Sequence, residues 1–378
     1  MDRYTVPSPM KRPDYAFYHE PTIMEMRQRA VQAIQDFLSI QWRTHTTIAH
    51  SKRGAVAHKR FIYEKDNTYC GLPYSDGGKG LFQFLEFYDE ETGRLKFYGD
   101  GQEFNENIGG TCACGVCWSL ATVCHSIGGW FVNFWMTPKY GYYPVGDYKV
   151  DPEIEEFRLH HTSLIIQENG VDKIVECYTK IQPADAVCSS DKDHTMMCID
   201  YPHVEYDENG KIDIEKSYVM IADQRGGLGV GFYDKRVDDD LYHFSGRTEF
   251  KYTFKMLLNE FYIPVTPAEF LGKVPYERAK VEFSIPECAT KEQMIAGTLT
   301  SNYPMAVIKL MLTKANGHRV MVDRYLVNRH DPHPSSGLAR SFPMERMQEA
   351  IEAAQGQKLE IEVTASNGEI LIPVSIRL

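Results

Sequence analysis

Residues 108–126, IGGTCACGVCWSLATVCHS, constrain this chain more than any other segment. Two glycines and a threonine lead into a run where Cys112, Val116, Trp118, Leu120, Ala121 and Val123 leave no polar face. A helix here, ending at Gly128-Gly129, has to be buried on all sides, because an apolar surface all round cannot face water. That requires a sizeable folded body around it. The chain has 378 residues, 43% apolar and 25% charged, so a large core is within reach and long disorder is excluded. At about 150 residues per domain, the length predicts two domains.

The net charge is −11 at pH 7. Nucleic acid is therefore not an expected partner, because counterion release from phosphates needs a basic stripe. No apolar run reaches the roughly 18 residues of a membrane span, and the first residues lack the apolar core of a secretory signal. The expected location is the cytoplasm, or outside the cell if a signal has been removed.

Before the buried helix, Thr22 and Glu25 stand at capping-box spacing ahead of Ile23, Met26, Ala30, Ile34, Phe37 and Leu38, which recur on one helical face. This predicts an amphipathic helix ending near Trp42, with THTTIAHSKRGAVAHKR as a connection. After the buried helix, HTSLIIQ, KIVECY, AVCSS, HTMMCID and SYVMIAD read as short strands, with a turn at Glu208-Asn209-Gly210 joining the last two. Beyond Tyr276, VEFSI, MAVIKLML and HRVMVDRY read as strands, followed by a short helix from Met344 to Ala354. Lys358–Val363 and Ile370–Ile376 then form a hairpin around Asn367-Gly368. The expected class is α+β, in three parts. Residues 1–60 form an N-terminal helical segment and connection, 61–270 a central helix against an antiparallel sheet, and 271–378 a β-rich domain of sandwich type.

Nine cysteines, four of them crowded between Cys112 and Cys124, make no disulfide framework and fit a reducing compartment. Cys112 stands apart because it opens the helix. A thiol in a first turn meets the positive end of the helix dipole and N–H groups without helical acceptors, which favour a thiolate and can hold an oxyanion. The ordinary alternative is packing, since most buried cysteines are small hydrophobes. A zinc or iron–sulfur site from Cys112, Cys114, Cys117, Cys124 and His125 is disfavoured, because thiolates spaced along one helix point to different sides.

A nucleophilic cysteine needs a base, and with thirteen histidines only the setting discriminates. His194 opens the apolar strand HTMMCI behind a turn containing Pro183 and Asp185. His160 and His161 also precede an apolar run and are rival positions. The bland reading of His194 is a residue at the surface end of a strand.

The order of these motifs resembles the NlpC-type cell-wall peptidases, papain-like enzymes that hydrolyse peptide bonds in peptidoglycan stems. Gly71, Pro73, Tyr74, Gly77 and Gly78 match a G-x-P-Y-x-x-G-G turn, and Cys112 matches the nucleophile, with Thr111 and Ala113 in place of the usual Asp and Ser. Pro183, Ala184 and Asp185 resemble the family's P-G-D turn before its histidine, which selects His194 over His160 and His161. The resemblance spans residues 69–224, with an insertion between Gly80 and Cys112. It implies a papain-like catalytic domain, Tyr74 as a polar wall of the site, and the Cys112 N–H in an oxyanion hole. It also implies a polar third residue on the strand beside His194. SYVMIADQ supplies Asp223 and Gln224 there, on opposite faces, and Asp223 is the expected third member with Gln224 in support.

The implied function is a cysteine hydrolase acting on an amide bond in a peptide or muropeptide, with no cofactor and no metal. The aromatic run from Trp130 to Tyr143 either contacts substrate or packs. The second reading is an inactive binding protein on the same fold, with the β-rich domain as its recognition module.

Overall fold

The computed structural model describes residues 8–51, 60–75, 77–127, 133–224, 246–327 and 340–378. Helix α1 (Ile23–Ser39) starts where the capping signals stand: Thr22 Oγ1 accepts from the Glu25 N–H at 3.2 Å, and the Glu25 carboxylate accepts from the Thr22 N–H at 2.7 Å. Two orphan donors are satisfied reciprocally. The face carrying Met26, Ala30, Ile34, Phe37 and Leu38 is buried, contributing about 2 kcal/mol for each large side chain.

Three further helices follow, α2 (Leu81–Leu85), α3 (Gly101–Asn107) and α4 (Cys112–Leu120), and every residue of α4 is buried. Here α1 packs on α4. A methyl group added at Gly115 would meet Phe37 at 3.3 Å and Ile34 at 3.6 Å, so the glycine lets the two helices come close. Helix α1 shares the first core with α4. Short strands accompany it: β1 (Gln41–Trp42) pairs with β4 (Tyr69–Cys70), and β2 (Ile48–Ser51) with β3 (Arg60–Tyr63). The stretch read as a bare connection therefore contains strand, and its residues 52–59 lie outside the described ones.

Behind α4 stands a six-stranded antiparallel sheet of β5 (Tyr142–Pro144), β6 (Ala186–Ser189), β7 (His194–Cys198), β8 (Tyr218–Gln224), β9 (Gly246–Thr253) and β10 (Ile263–Pro267), in the order β5-β10-β6-β7-β8-β9. The segments read as AVCSS, HTMMCID and SYVMIAD are β6, β7 and β8. HTSLIIQ and KIVECY are not strands but two helices, α5 (Thr162–Asn169) and α6 (Val171–Tyr178). Their apolar side chains favoured strand, but a cap from a distant turn and a glycine break win. The Asp191 carboxylate accepts from the Thr162 hydroxyl and the Ser163 N–H, both at 2.9 Å, at the start of α5. Gly170, at φ +85°, divides the pair. Helix α4 itself ends at Leu120, short of the expected stop, and Gly128-Gly129 lies outside the described residues.

A helix, α7 (Phe254–Asn259), links β9 to β10. Then come β11 (Val281–Phe283), α8 (Lys291–Ala296), β12 (Thr298–Ser301), β13 (Met305–Thr313), β14 (Arg319–Leu326), β15 (Ser341–Pro343), α9 (Gln348–Ala353), β16 (Lys358–Ala365) and β17 (Ile370–Arg377). They form a four-stranded sheet, β14-β13-β16-β17, and a three-stranded one, β11-β12-β15, which share a second core including Leu299, Ile308, Leu310, Phe342 and Ile361. Gly368, at φ +90°, makes the Asn-Gly turn between β16 and β17. This lobe braces the first. Ser366 Oγ donates to the Ala121 carbonyl at 2.6 Å and Lys79 Nζ to Leu326 at 3.0 Å. The chain is thus a mixed α and β protein with several antiparallel sheets. Among the described residues no helix is long and apolar enough to cross a membrane.

Candidate active site

The turn before α4 is dictated by its glycines. Gly109 has φ +85°, and a Cβ there would sit 1.9 Å from the Pro73 carbonyl oxygen. At Gly110 a Cβ would come within 2.7 Å of the Lys79 carbonyl oxygen. The two residues thread between backbone segments that no side chain leaves room for. Gly110 donates to Pro73 at 3.1 Å and accepts from the Ser75 N–H at 3.0 Å, so the GLPYSDGG segment runs alongside it.

Thr111 then caps α4, its Oγ1 accepting from the Cys114 N–H at 3.4 Å. Cys112 is consequently the first residue of the helix. The helix offers no acceptor to the N–H groups of Cys112 and Ala113. Cys112 is 4% exposed, with its Sγ 4.0 Å from the Asp193 carbonyl oxygen.

His194 reaches this thiol by way of the turn at Pro183–Asp185 and the hairpin of β6 and β7. Ala184 stands at φ +68°, a left-handed conformation that a residue other than glycine holds at a cost. The Ala184 N–H donates to Cys198 at 2.7 Å and the Cys198 N–H to Asp185 at 2.8 Å, which sets the register pairing Ser189 with His194. Asp193, also left-handed at φ 49°, ends the turn and aims its carbonyl at Cys112.

Asp223 completes the group. Its Oδ2 lies 2.9 Å from His194 Nε2, and the carboxylate is fully buried while the imidazole stays 18% exposed. The register Met197↔Ala222 brings the end of β8, which carries Asp223, beside the strand that His194 opens. With Nε2 engaged by Asp223, Nδ1 is the ring nitrogen left to serve the Cys112 thiol. Burial alone would lower the affinity of His194 for a proton, but Cys112 and Asp223 outweigh it and lift the imidazole to about 9. These three groups form a line from buried carboxylate to imidazole to a thiol at a helix start. Chemically it can hold a thiolate–imidazolium pair beside free N–H donors.

The two supporting residues divide. Tyr74 is half-buried and pairs with Gly110, two residues before Cys112. Gln224 faces away from the imidazole: its Nε2 donates to Leu72 at 2.8 Å and Pro73 at 3.2 Å, fastening the segment that carries Tyr74.

The remaining cysteines pack. Cys117 touches the Tyr142 hydroxyl at 3.5 Å, and burial pushes its thiol up to about 12. Burial also raises Cys124 and Cys198 well above the ordinary thiol range. Tyr142 is thereby a core residue, and residues 130–132 of the aromatic run lie outside the described ones. His160 and His161 belong to the α5 end, facing Glu168 at 3.3 Å and Asp191 at 3.7 Å.

Three contributors escape a reading by motif. Arg27 donates to Asp185 Oδ1 at 2.8 Å and to the Pro183 carbonyl at 2.7 Å, pinning the turn ahead of β6. Its spacing to Ala30, Ile34 and Leu38 put a charge on the buried stripe of α1, which was the available signal. Asp191 fastens the hairpin to α5, and nothing local marks that long-range cap. Burial first, then Tyr252 and Glu260 ahead of Asp223 and Cys112, raise the Tyr262 hydroxyl well above its ordinary range. Comparison with known protein families, with curated proteins and with solved structures finds no match.

Proposed function

We propose that the chain is a cysteine hydrolase that cleaves an amide bond, with Cys112 as nucleophile, His194 as acid and base, and Asp223 orienting the imidazole. The observation that carries this reading is the 2.9 Å contact between Asp223 and His194, beside a cysteine that begins a helix. Cys112 Sγ attacks the carbonyl carbon, and the oxyanion is met by the Cys112 N–H. His194 Nδ1–H gives its proton to the amine as the C–N bond breaks, leaving a thioester. Water, losing a proton to His194, then attacks that thioester, releasing the acid and regenerating the thiol. Asp223 keeps Nε2 protonated, which fixes the tautomer these transfers need.

A buried helix packed on an antiparallel sheet, with the nucleophile at its start and the base at a strand head, supports a papain-like reading. The motif resemblance extends it to the NlpC type and to peptides derived from peptidoglycan stems. The test is digestion of muropeptides and small γ-glutamyl amides by the wild type beside Cys112→Ala. Turnover confined to the wild type supports the reading. Turnover surviving the change transfers the chemistry to another residue, and none in either leaves the inactive binding protein.

A further inference from the structure

The last two residues of β8 point to opposite faces of the sheet and serve opposite halves of the site. Asp223 holds the imidazole. Gln224 is completely buried, and its side chain reaches away from His194 to the segment that runs beside the nucleophile's turn.

One oxygen joins that side chain to the turn. The Pro73 carbonyl accepts from Gln224 Nε2 at 3.2 Å and from the Gly110 N–H at 3.1 Å. Leu72, next to it, accepts from the same amide nitrogen at 2.8 Å. Gly110 stands two residues before Cys112, and Gly109 lies against the same oxygen, where an added Cβ would sit 1.9 Å from it. The stem of Gln224 also lies against α4. A Cβ added at Gly115, about one turn beyond Cys112, would be 3.7 Å from the Gln224 Cβ. A single side chain thus meets both the strand-like segment that braces the turn and the helix that Cys112 begins.

The amide is kept at a cost. Gln224 Oε1 is buried and has no hydrogen-bond partner among the described residues. An apolar side chain of equal length would avoid that cost, so the two N–H donors, rather than packing, account for an amide here.

We propose that Gln224 is a positioning residue for the nucleophile: through the Pro73 carbonyl it fixes the Gly110 turn, and so places the Cys112 thiol and N–H against the imidazole that Asp223 holds. The inference rests on the hydrolase reading of Cys112 and His194. Two consecutive residues at the end of β8 then register base and nucleophile from one point. Supporting bonds of this kind matter because a displacement of about 1 Å at the reacting atoms can cost on the order of a hundredfold in rate.

Gln224→Met keeps the length of the side chain and removes both donors. In the intact variant, amide exchange at Gly110 should quicken by about tenfold or more while exchange in β7 is unchanged, a measurement that needs no substrate. On an amide substrate kcat should fall by about tenfold or more with KM within about twofold of the wild type. The alkaline limb set by His194 should stay in place, in contrast to Asp223→Asn. Gln224→Glu keeps one donor when its carboxyl is protonated, so its loss relative to wild type should be smaller at about pH 5 than at about pH 8, a rescue that packing would not give. Unchanged exchange at Gly110, an unchanged kcat, or a displaced alkaline limb in Gln224→Met would overturn the proposal. Absence of turnover in the wild type would overturn the hydrolase reading, and this inference with it, whatever the variants show.

Discussion

His194 Nε2 and Asp223 Oδ2 are 2.9 Å apart although 29 residues separate them in sequence, and the pairing of β7 with β8 is what joins them. The carboxylate is wholly buried and the ring is not, so the acid serves the imidazole rather than the solvent.

Replacing Asp223 therefore tests orientation and charge separately. Asp223→Asn keeps an acceptor for Nε2–H but removes the negative charge. Asp223→Ala removes both. The expected order of kcat/KM on an amide substrate is wild type, Asn, Ala, with Ala down by about two orders of magnitude or more. In both variants the alkaline limb of the pH profile moves down, a shift that a merely structural residue would not cause.

The elevated His194 fixes the pH dependence. The ring is held at about 9 against an ordinary value near 6.5. A raised folded-state value means the stabilisation is complete below about 6.5 and is lost as pH rises through about 9. Chemical denaturation at stepped pH should show stability falling across that window by an amount of order a few kcal/mol, and no such fall in His194→Gln. Activity should decline on the same alkaline limb.

Gly109→Ala should cripple the site without touching its three side chains. The added carbon meets the Pro73 oxygen at 1.9 Å, and φ is +85°. Relief requires moving the turn that sets Cys112, so we expect a destabilisation of about 2 kcal/mol or more, read as a lowered Tm, with slower Cys112 alkylation.

Asp191→Ala removes the carboxylate that accepts from Thr162, from the Ser163 N–H and from Ser163 Oγ. The expected cost is about 1–2 kcal/mol for the α5 cap. Because the same residue ties down the hairpin ahead of His194, hydrogen exchange should quicken in residues 189–194 as well as in α5.

Much of the site was legible because its signals are local. A glycine pair before an apolar run announces a helix start, and that fixes Cys112. A turn followed by an apolar strand marks His194 only alongside His160 and His161, and the family resemblance is what chose among them and pointed to Asp223. The sheet that holds them was less legible. Strand β10 carries Pro264 and Pro267, residues that argue against strand, and β5 is only three residues long. The apolar residues of α5 and α6 mimic strand, while the cap that settles them, Asp191, comes from a distant turn. Arg27 shows the same limit: the sequence places a charge on a buried stripe, but only folding supplies Asp185.

Activation of Cys112 as a nucleophile would show in the rate of its alkylation. Iodoacetamide at about pH 6, with peptide mapping of the modified thiols, compares Cys112 with free cysteine, which has less than about 1% thiolate there. Cys112 should react about tenfold or more faster than free cysteine, and His194→Ala should abolish the advantage. A rate equal to that of free cysteine, unchanged by His194→Ala, would contradict the activation.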